Sequence, residues 1–435
     1  MSSTLTRIVS IATAGLASLA FAAAAAAAPF GAPTPIAGFG ASPLLAGLAS
    51  AAAGADGSSL IGATRSVADH RQPLVAEGRT GQPPVRTELL GPSGDITSQP
   101  RAVLDDEGHG AVVFARGNTA YLSTCEKGSC ATPVKVGSSA LKPEPDVAVA
   151  PGSGRLTVLW RGRSKGGSNR LQWRITTGGK LGVVHTLGEF GNDPRLGTDA
   201  SGKTVAVWTR YVIHASDPKG LRTASRRVGE FTRPVTLQAG AVFSAQLVTG
   251  ADGETIVAWL TSPTFDVQSP SAQARVATRT ANTGFSAPAD VGGADTGTLA
   301  LDRAPDGHAV LALDRQLDDT TAIVQAAVRA PGGAFSAPQA LAPAQFVSTA
   351  FGATAAIDDH GVATVAWSSV AITAGSPAGF FAARSDAGGT FAAPQQLSTD
   401  ATGASQQHPV LAAGGTLTDV AWVTPGGPVV AQASG

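Results

Sequence analysis

What most constrains this chain is a phrase written seven times between Pro100 and Trp422: a short apolar run, an acidic or glycine turn, then a second apolar run ending on a bulky anchor. Clear copies are Pro145-Asp-Val-Ala-Val-Ala with Leu156-Thr-Val-Leu-Trp160, and Pro194-Arg-Leu-Gly-Thr-Asp with Thr204-Val-Ala-Val-Trp208. The anchors fall at Phe114, Trp160, Trp208, Trp259, Leu313, Trp367 and Trp422, with spacings of 46, 48, 51, 54, 54 and 55 residues. A period of this size means an array of like units. Within each unit, runs of Val, Ala, Leu and Thr alternate with Gly, Asp and Pro, which is the pattern of short strands and hairpins. No helical periodicity interrupts them.

Four strands can be placed in a repeat. In the fourth they cover about residues 246–250, 255–259, 273–278 and 285–291, and the fifth follows the same order. Four short antiparallel strands form a β-propeller blade. The last repeat has only three, near Val410, Val420 and Val429, while Pro84-Val-Arg-Thr-Glu-Leu-Leu-Gly91 resembles the fourth strands at residues 233–237 and 337–341. The expectation is an all-β propeller over residues 81–435, with seven four-stranded blades and six or eight as the alternative counts, the last blade completed by the strand near Val85 so that no edge stays open.

The N-terminus reads differently. Residues 1–27 carry one arginine, Arg7, then an apolar stretch and a run of alanines, as a secretory signal peptide does. Residues 28–80 are rich in Ala, Gly and Pro and read as a flexible spacer. With 31 basic and 31 acidic side chains the formal net charge is zero, so neither nucleic acid nor an anionic membrane surface is an expected partner. A secreted or cell-envelope monomer follows, without stable membrane insertion once the leader is cut. The two cysteines, Cys125 and Cys130, flank a turn and are expected to form a disulfide in that exported setting.

The turns between third and fourth strands read Arg279-Thr-Ala-Asn-Thr-Gly-Phe285, Arg329-Ala-Pro-Gly-Gly-Ala-Phe335 and Arg384-Ser-Asp-Ala-Gly-Gly-Thr-Phe391. The last resembles the Asp-box of sialidase-like propellers (BNR repeats), through Ser385, Asp386, Gly388 or Gly389, Thr390 and Phe391, with one residue fewer. That resemblance covers about residues 84–434 and implies a turn-stabilising role for these residues. A sialidase also needs an arginine triad, a tyrosine nucleophile paired with a glutamate, and an acid/base carboxyl group. The Phe-Arg-Ile-Pro signature of the family is absent, Tyr121 falls in a third strand, and no glutamate pairs with Tyr211 by pattern, so no catalytic residue carries over.

Loops after second and fourth strands must share one face, and the longest of them follow the second strands of the third, fourth and sixth repeats. Arg116, Arg161, Arg163, Arg210 and Arg315 follow the anchors by one to three residues on that face, with Tyr211 beside Arg210. These six are the candidate ligand residues, suited to carboxylates or sulfates, against the alternative of local pairing such as Arg315 with Asp314 or Asp318. His109, His308 and His360 lie by first hairpin turns of separate repeats, and their spacing implies no metal site and no cofactor. Acidic residues in those turns, Asp105-Asp106-Glu107 and Asp358-Asp359, are expected to cap them. The reading that results is an exported, non-catalytic propeller binding a glycan, peptide or cell-envelope component. The alternatives are a sialidase-like glycan hydrolase and a purely structural repeat protein.

Overall fold

The computed structural model describes residues 28–36, 46–67, 70–79, 85–88, 96–127, 129–163, 169–188, 190–210, 220–262, 272–294, 296–317, 321–345, 352–370, 378–399, 408–424 and 426–434. The leader expected at residues 1–27 and Tyr211 lie outside them. The described strands form eight antiparallel sheets of four strands, in seven of which the strands run in sequential order from the axis outward; in the second and third, short extra segments flank the outer strands. First strands, innermost in each blade, are Ala46–Ala53, Ile96–Leu104, Asp146–Ala150, Asn192–Thr198, Ala241–Thr249, Thr296–Arg303, Thr354–Ile357 and Val410–Gly414, for blades 1 to 8. Each first strand packs against the next, and that of blade 8 packs against that of blade 1, so the ring closes.

The count corrects the expected seven. Blade 1 is Ala46–Ala53, Ser58–Val67, His70–Arg79 and Val85–Glu88, so most of the segment read as a spacer is folded. Val85–Glu88 is a fourth strand, as its pattern suggested, but of its own blade. Closure comes from further upstream: Thr34–Pro35 pairs with Gly427–Ser434 as the outer strand of blade 8. Phe30 anchors this clasp in the core between blades 7 and 8. Its amide donates to Gln395 Oε1 at 2.8 Å, and its carbonyl accepts from Gln395 Nε2 at 3.1 Å.

Blade 1 escaped the repeat pattern for a packing reason. Its first strand lines the axial channel, where eight walls converge and small side chains fit, so Ala49 to Ala53 look like spacer residues while serving as wall. Its second strand places Ala63 at the position the aromatic anchor takes elsewhere. Ala63 is fully buried against Val410, Ala421 and Val423 of blade 8.

In the other blades the anchor is a peg into the preceding blade. Trp160 packs among Ala111, Val113 and Leu122 of blade 2, and Trp208 among Leu159, Leu171 and Trp173 of blade 3. Trp259 meets Val207 and Leu221 of blade 4, while Trp422 meets Ala366 and Phe380 of blade 7. All are at most 1% exposed, and burying a ring of this size contributes several kcal/mol. Space for the peg is made deliberately: a β-carbon at Gly137 in blade 2 would lie 2.5 Å from the Trp160 ring.

Turn chemistry holds the other face. Asp105 Oδ1 accepts the amides of Glu107 and His109 at 3.1 and 2.8 Å, Asp199 Oδ1 accepts that of Lys203 at 2.9 Å, and Asp358 Oδ1 accepts those of His360 and Val362 at 3.0 and 2.9 Å. The capping role expected of these residues is therefore met. Gly108, Gly202 and Gly361 follow at φ of 83°, 76° and 78°, a region costly for other residues. In blade 7, Ser385 Oγ accepts the Ala363 amide at 2.9 Å and Asp386 Oδ1 the Thr390 amide at 2.8 Å, so both stabilise the turn. Cys125 and Cys130 form a disulfide.

Candidate functional site

The ring encloses an axial channel with a cavity of about 600 Å³, walled by first strands and first hairpin turns of the blades. The wall is mostly Ala, Val, Leu, Gly and Thr. At the end where first strands begin, between blades 1 and 5, it opens into a second cavity of about 510 Å³. Into this mouth project Arg101 from blade 2, Glu144 and Asp146 from blade 3, Asp193 and Arg195 from blade 4, and Gln246 from blade 5.

Local backbone geometry places them. In blades 2, 4 and 5 the first strand is bulged, with register shifts between Ser98 and Arg101, Asn192 and Arg195, and Phe243 and Gln246. Each bulge lies opposite an anchor, at Phe114, Trp208 and Trp259 respectively, and in blade 3 the residues just before Asp146 lie opposite Trp160 in the same way. At this point Glu144, Asp193 and Ser244 have φ of 45°, 49° and 50°. Non-glycine residues pay for that conformation, and such strain concentrates at binding and catalytic sites. Of the four non-glycine residues with positive φ among those described, three therefore stand in successive blades around one rim.

The charges are interlocked. Arg101 Nη1 lies 3.4 Å from Asp146 Oδ1, and its Nη2 lies 3.6 Å from Asp193 Oδ1. Arg195 Nη1 donates to Asp193 Oδ1 at 2.5 Å and to the Pro194 carbonyl at 3.0 Å. Asp146 Oδ2 accepts the Leu196 amide at 2.7 Å, and Glu144 Oε2 accepts the Asp193 amide at 3.1 Å, so each carboxylate also stitches one blade to the next. Burial, and then the nearby Arg101 charge, pull the Arg195 guanidinium down from its ordinary value, while Asp193 and Asp146 oppose them.

Of the residues expected from sequence, Arg161 supports this mouth from behind. It is 7% exposed, donates to the Lys142 carbonyl at 2.9 Å through Nε and to Glu144 Oε1 at 3.3 Å through Nη2, and also bonds Asn192 Oδ1. Its guanidinium is thus spent on structure. Arg116 is buried at the end of the second strand of blade 2, with Nε and Nη1 lacking a hydrogen-bond partner among the described residues. Arg163 is exposed, and Arg210 and Arg315 are half-buried at second-strand ends. These five arginines stand on second strands, one strand out from the channel, and none lines either cavity. The residues that do line the mouth carried a visible signal: Gln99-Pro-Arg101, Glu144-Pro-Asp146 and Asp193-Pro-Arg195 open three consecutive first strands with one pattern.

The opposite end of the channel is acidic. Asp106 and Asp359 line it, both raised above the ordinary carboxylate value by burial first, and each then by the other or by neighbouring acids. Nearby, His109 Nδ1 lies 3.2 Å from Asp105 Oδ2 and 3.8 Å from Glu107 Oε2, a set of donors within one turn that could hold a cation. Asp105 already has the turn to cap. His308 and His360 belong to other blades, as the sequence implied.

No protein-family model matches the chain, and no curated protein matches it. Solved structures do. A puromycin hydrolase mutant complexed with PGG is 16% identical, with a TM-score of 0.50, over 85% of this chain and 56% of its own; this chain thus spans little more than half that enzyme. The β-propeller domain of the Trilobed protease from Pyrococcus furiosus is 11% identical, with a TM-score of 0.46, over 82% of this chain and 99% of that domain. A Hadza microbial sialidase is 11% identical, with a TM-score of 0.37, over 86% and 81%. At these identities the likeness is one of fold alone.

Proposed function

We propose that this protein is an exported, non-catalytic propeller that binds an extracellular ligand, a glycan, peptide or cell-envelope component, at the mouth of its channel on the long-loop face. The observation that carries this reading is the rim itself: Glu144 and Asp193, which line one polar cavity, and Ser244, two residues before the Gln246 that also lines it, all hold a costly positive φ in three successive blades. A rigid scaffold that bears strain at one place and relaxed, glycine-supported turns at the other supports a role for the strained place. The carboxylates there spend their oxygens on guanidinium groups and backbone amides, which suits holding a ligand better than transferring protons. A disulfide is compatible with export, and among the described residues no helix is long and apolar enough to cross a membrane.

The test is a screen of the full chain on arrays of neutral and acidic glycans and of envelope peptides, with hydrolysis followed on the same samples. Saturable binding without turnover is expected. Turnover would overturn the non-catalytic reading in favour of a glycan hydrolase, and silence throughout would leave a purely structural repeat protein.

A further inference from the structure

Resting on the binding role proposed above, we infer that the mouth takes an uncharged, hydroxyl-rich glycan, held by the linked Arg101, Asp193 and Arg195 and, from blade 5, by Gln246. The first ground is charge. Arg101 and Arg195 share the cavity with Glu144, Asp146 and Asp193, and Arg161 stands directly behind Glu144, so three cations balance three anions. An anionic ligand reaching the arginines would come beside carboxylates, and a cationic one beside guanidinium groups, and juxtaposed like charges are costly. A hydroxyl meets neither objection, because it donates to a carboxylate and accepts from a guanidinium at once. Two neighbouring hydroxyls bridging Asp193 and Arg101 would exchange weak contacts for charge-assisted hydrogen bonds.

The second ground is unspent bonding capacity. Arg195 is 9% exposed, with its Nη1 committed to Asp193 and Pro194 while its buried Nε has no hydrogen-bond partner among the described residues. A buried donor left unmade costs about 1–3 kcal/mol, which a ligand oxygen or a water it carries can recover. Arg101 holds its two carboxylates only at 3.4 and 3.6 Å, beyond the range of strong bonds, and its side chain is 36% exposed. It is free to turn toward a ligand. Gln246 adds a further donor and acceptor from blade 5, and Pro100 and Pro145 supply apolar surface for the C–H face of a sugar ring.

The third ground disfavours a peptide. An extended peptide would pair with the inner edge of a first strand, but shifts at Ser98/Arg101, Asn192/Arg195 and Phe243/Gln246 interrupt those edges where the cavity lies. At about 510 Å³ the cavity falls within the usual range of small-ligand sites, about 300–1,000 Å³.

The experiment uses the full chain against matched oligosaccharides, neutral glucan, xylan and mannan fragments beside uronate and sulfated ones, with envelope peptides as a third set. Hits are measured by calorimetry at low and at 1 M salt. Binding of a neutral oligosaccharide, insensitive to salt and weakened about tenfold or more in both Arg101→Gln and Gln246→Ala, is the expected result. Both variants alter partly exposed side chains, and an unchanged melting temperature shows that they fold. Hits confined to acidic glycans or to peptides would overturn the ligand class while leaving the binding role intact. Neutral binding untouched by either variant would overturn the location. Absence of any binding would remove the binding role and this inference with it.

Discussion

Two arcs of the ring treat acid groups in opposite ways. In blades 3 and 4, Glu144, Asp146 and Asp193 each sit against an arginine. In blades 6 and 8, Asp314 and Asp419 are as deep as Asp146, 4% and 3% exposed against its 6%, but among the described residues neither has an arginine or lysine partner. Burial, only partly offset by hydrogen bonds to Thr298 and to Gln432, pushes both up to about 6. The lesson is that a repeat scaffold imposes strand positions, not electrostatics. One arc presents a charge-balanced rim to a ligand, while the other stores carboxyl groups that respond to protons.

The largest effect should come from what the arcs share. Trp208→Ala removes a fully buried peg between blades 3 and 4 and should cost about 3–5 kcal/mol, and Leu313→Ala, the matching anchor in blade 6, about 2–5 kcal/mol. Chemical denaturation measures both, and an effect below about 1 kcal/mol at either would show that the anchors are not equivalent.

The next effect separates the arcs. A carboxyl group whose folded value lies above its unfolded one binds extra protons in the native state, so stability falls as pH rises from about 4 through about 6 and is flat above. Each of the two groups should contribute up to about 3 kcal/mol to that fall. Asp419→Asn should flatten part of the slope in a series of denaturation curves. A slope unchanged in Asp419→Asn would break the contrast.

Removing the disulfide is a smaller change. Cys125 and Cys130 close a loop of only five residues' separation, so Cys130→Ser should lower stability by about 2 kcal/mol at most, read as a modest drop in melting temperature under oxidising conditions. Smallest of all, Arg101→Gln should alter stability by under about 1 kcal/mol, because its ion pairs are long and partly solvated, while it weakens ligand binding. A large loss of stability there would mean that the rim is built for folding rather than binding.

How much was legible depends on whether a residue's job repeats. Trp160, Trp208, Trp259, Trp367 and Trp422 do one job in successive blades, and their spacing announced both the blade and its second strand. The capping aspartates Asp105 and Asp358 were equally readable, because a turn is a local structure and its chemistry lies within a few residues. Blade 1 was not readable. Ala63 replaces the aromatic anchor, and the channel wall demands the same small residues that make a linker look flexible.

The sequence by itself determined the class of fold, the position of the repeats, the turn caps and the cysteine pair, since each rests on neighbours along the chain. Tertiary structure alone decided that there are eight blades, that Thr34–Pro35 closes the ring, and that Glu144, Asp193 and Arg101 meet at one rim. Those facts depend on how far each strand lies from the axis and on which blade a segment joins. A periodic pattern fixes neither, because the same alternation of apolar residues serves inner and outer strands alike.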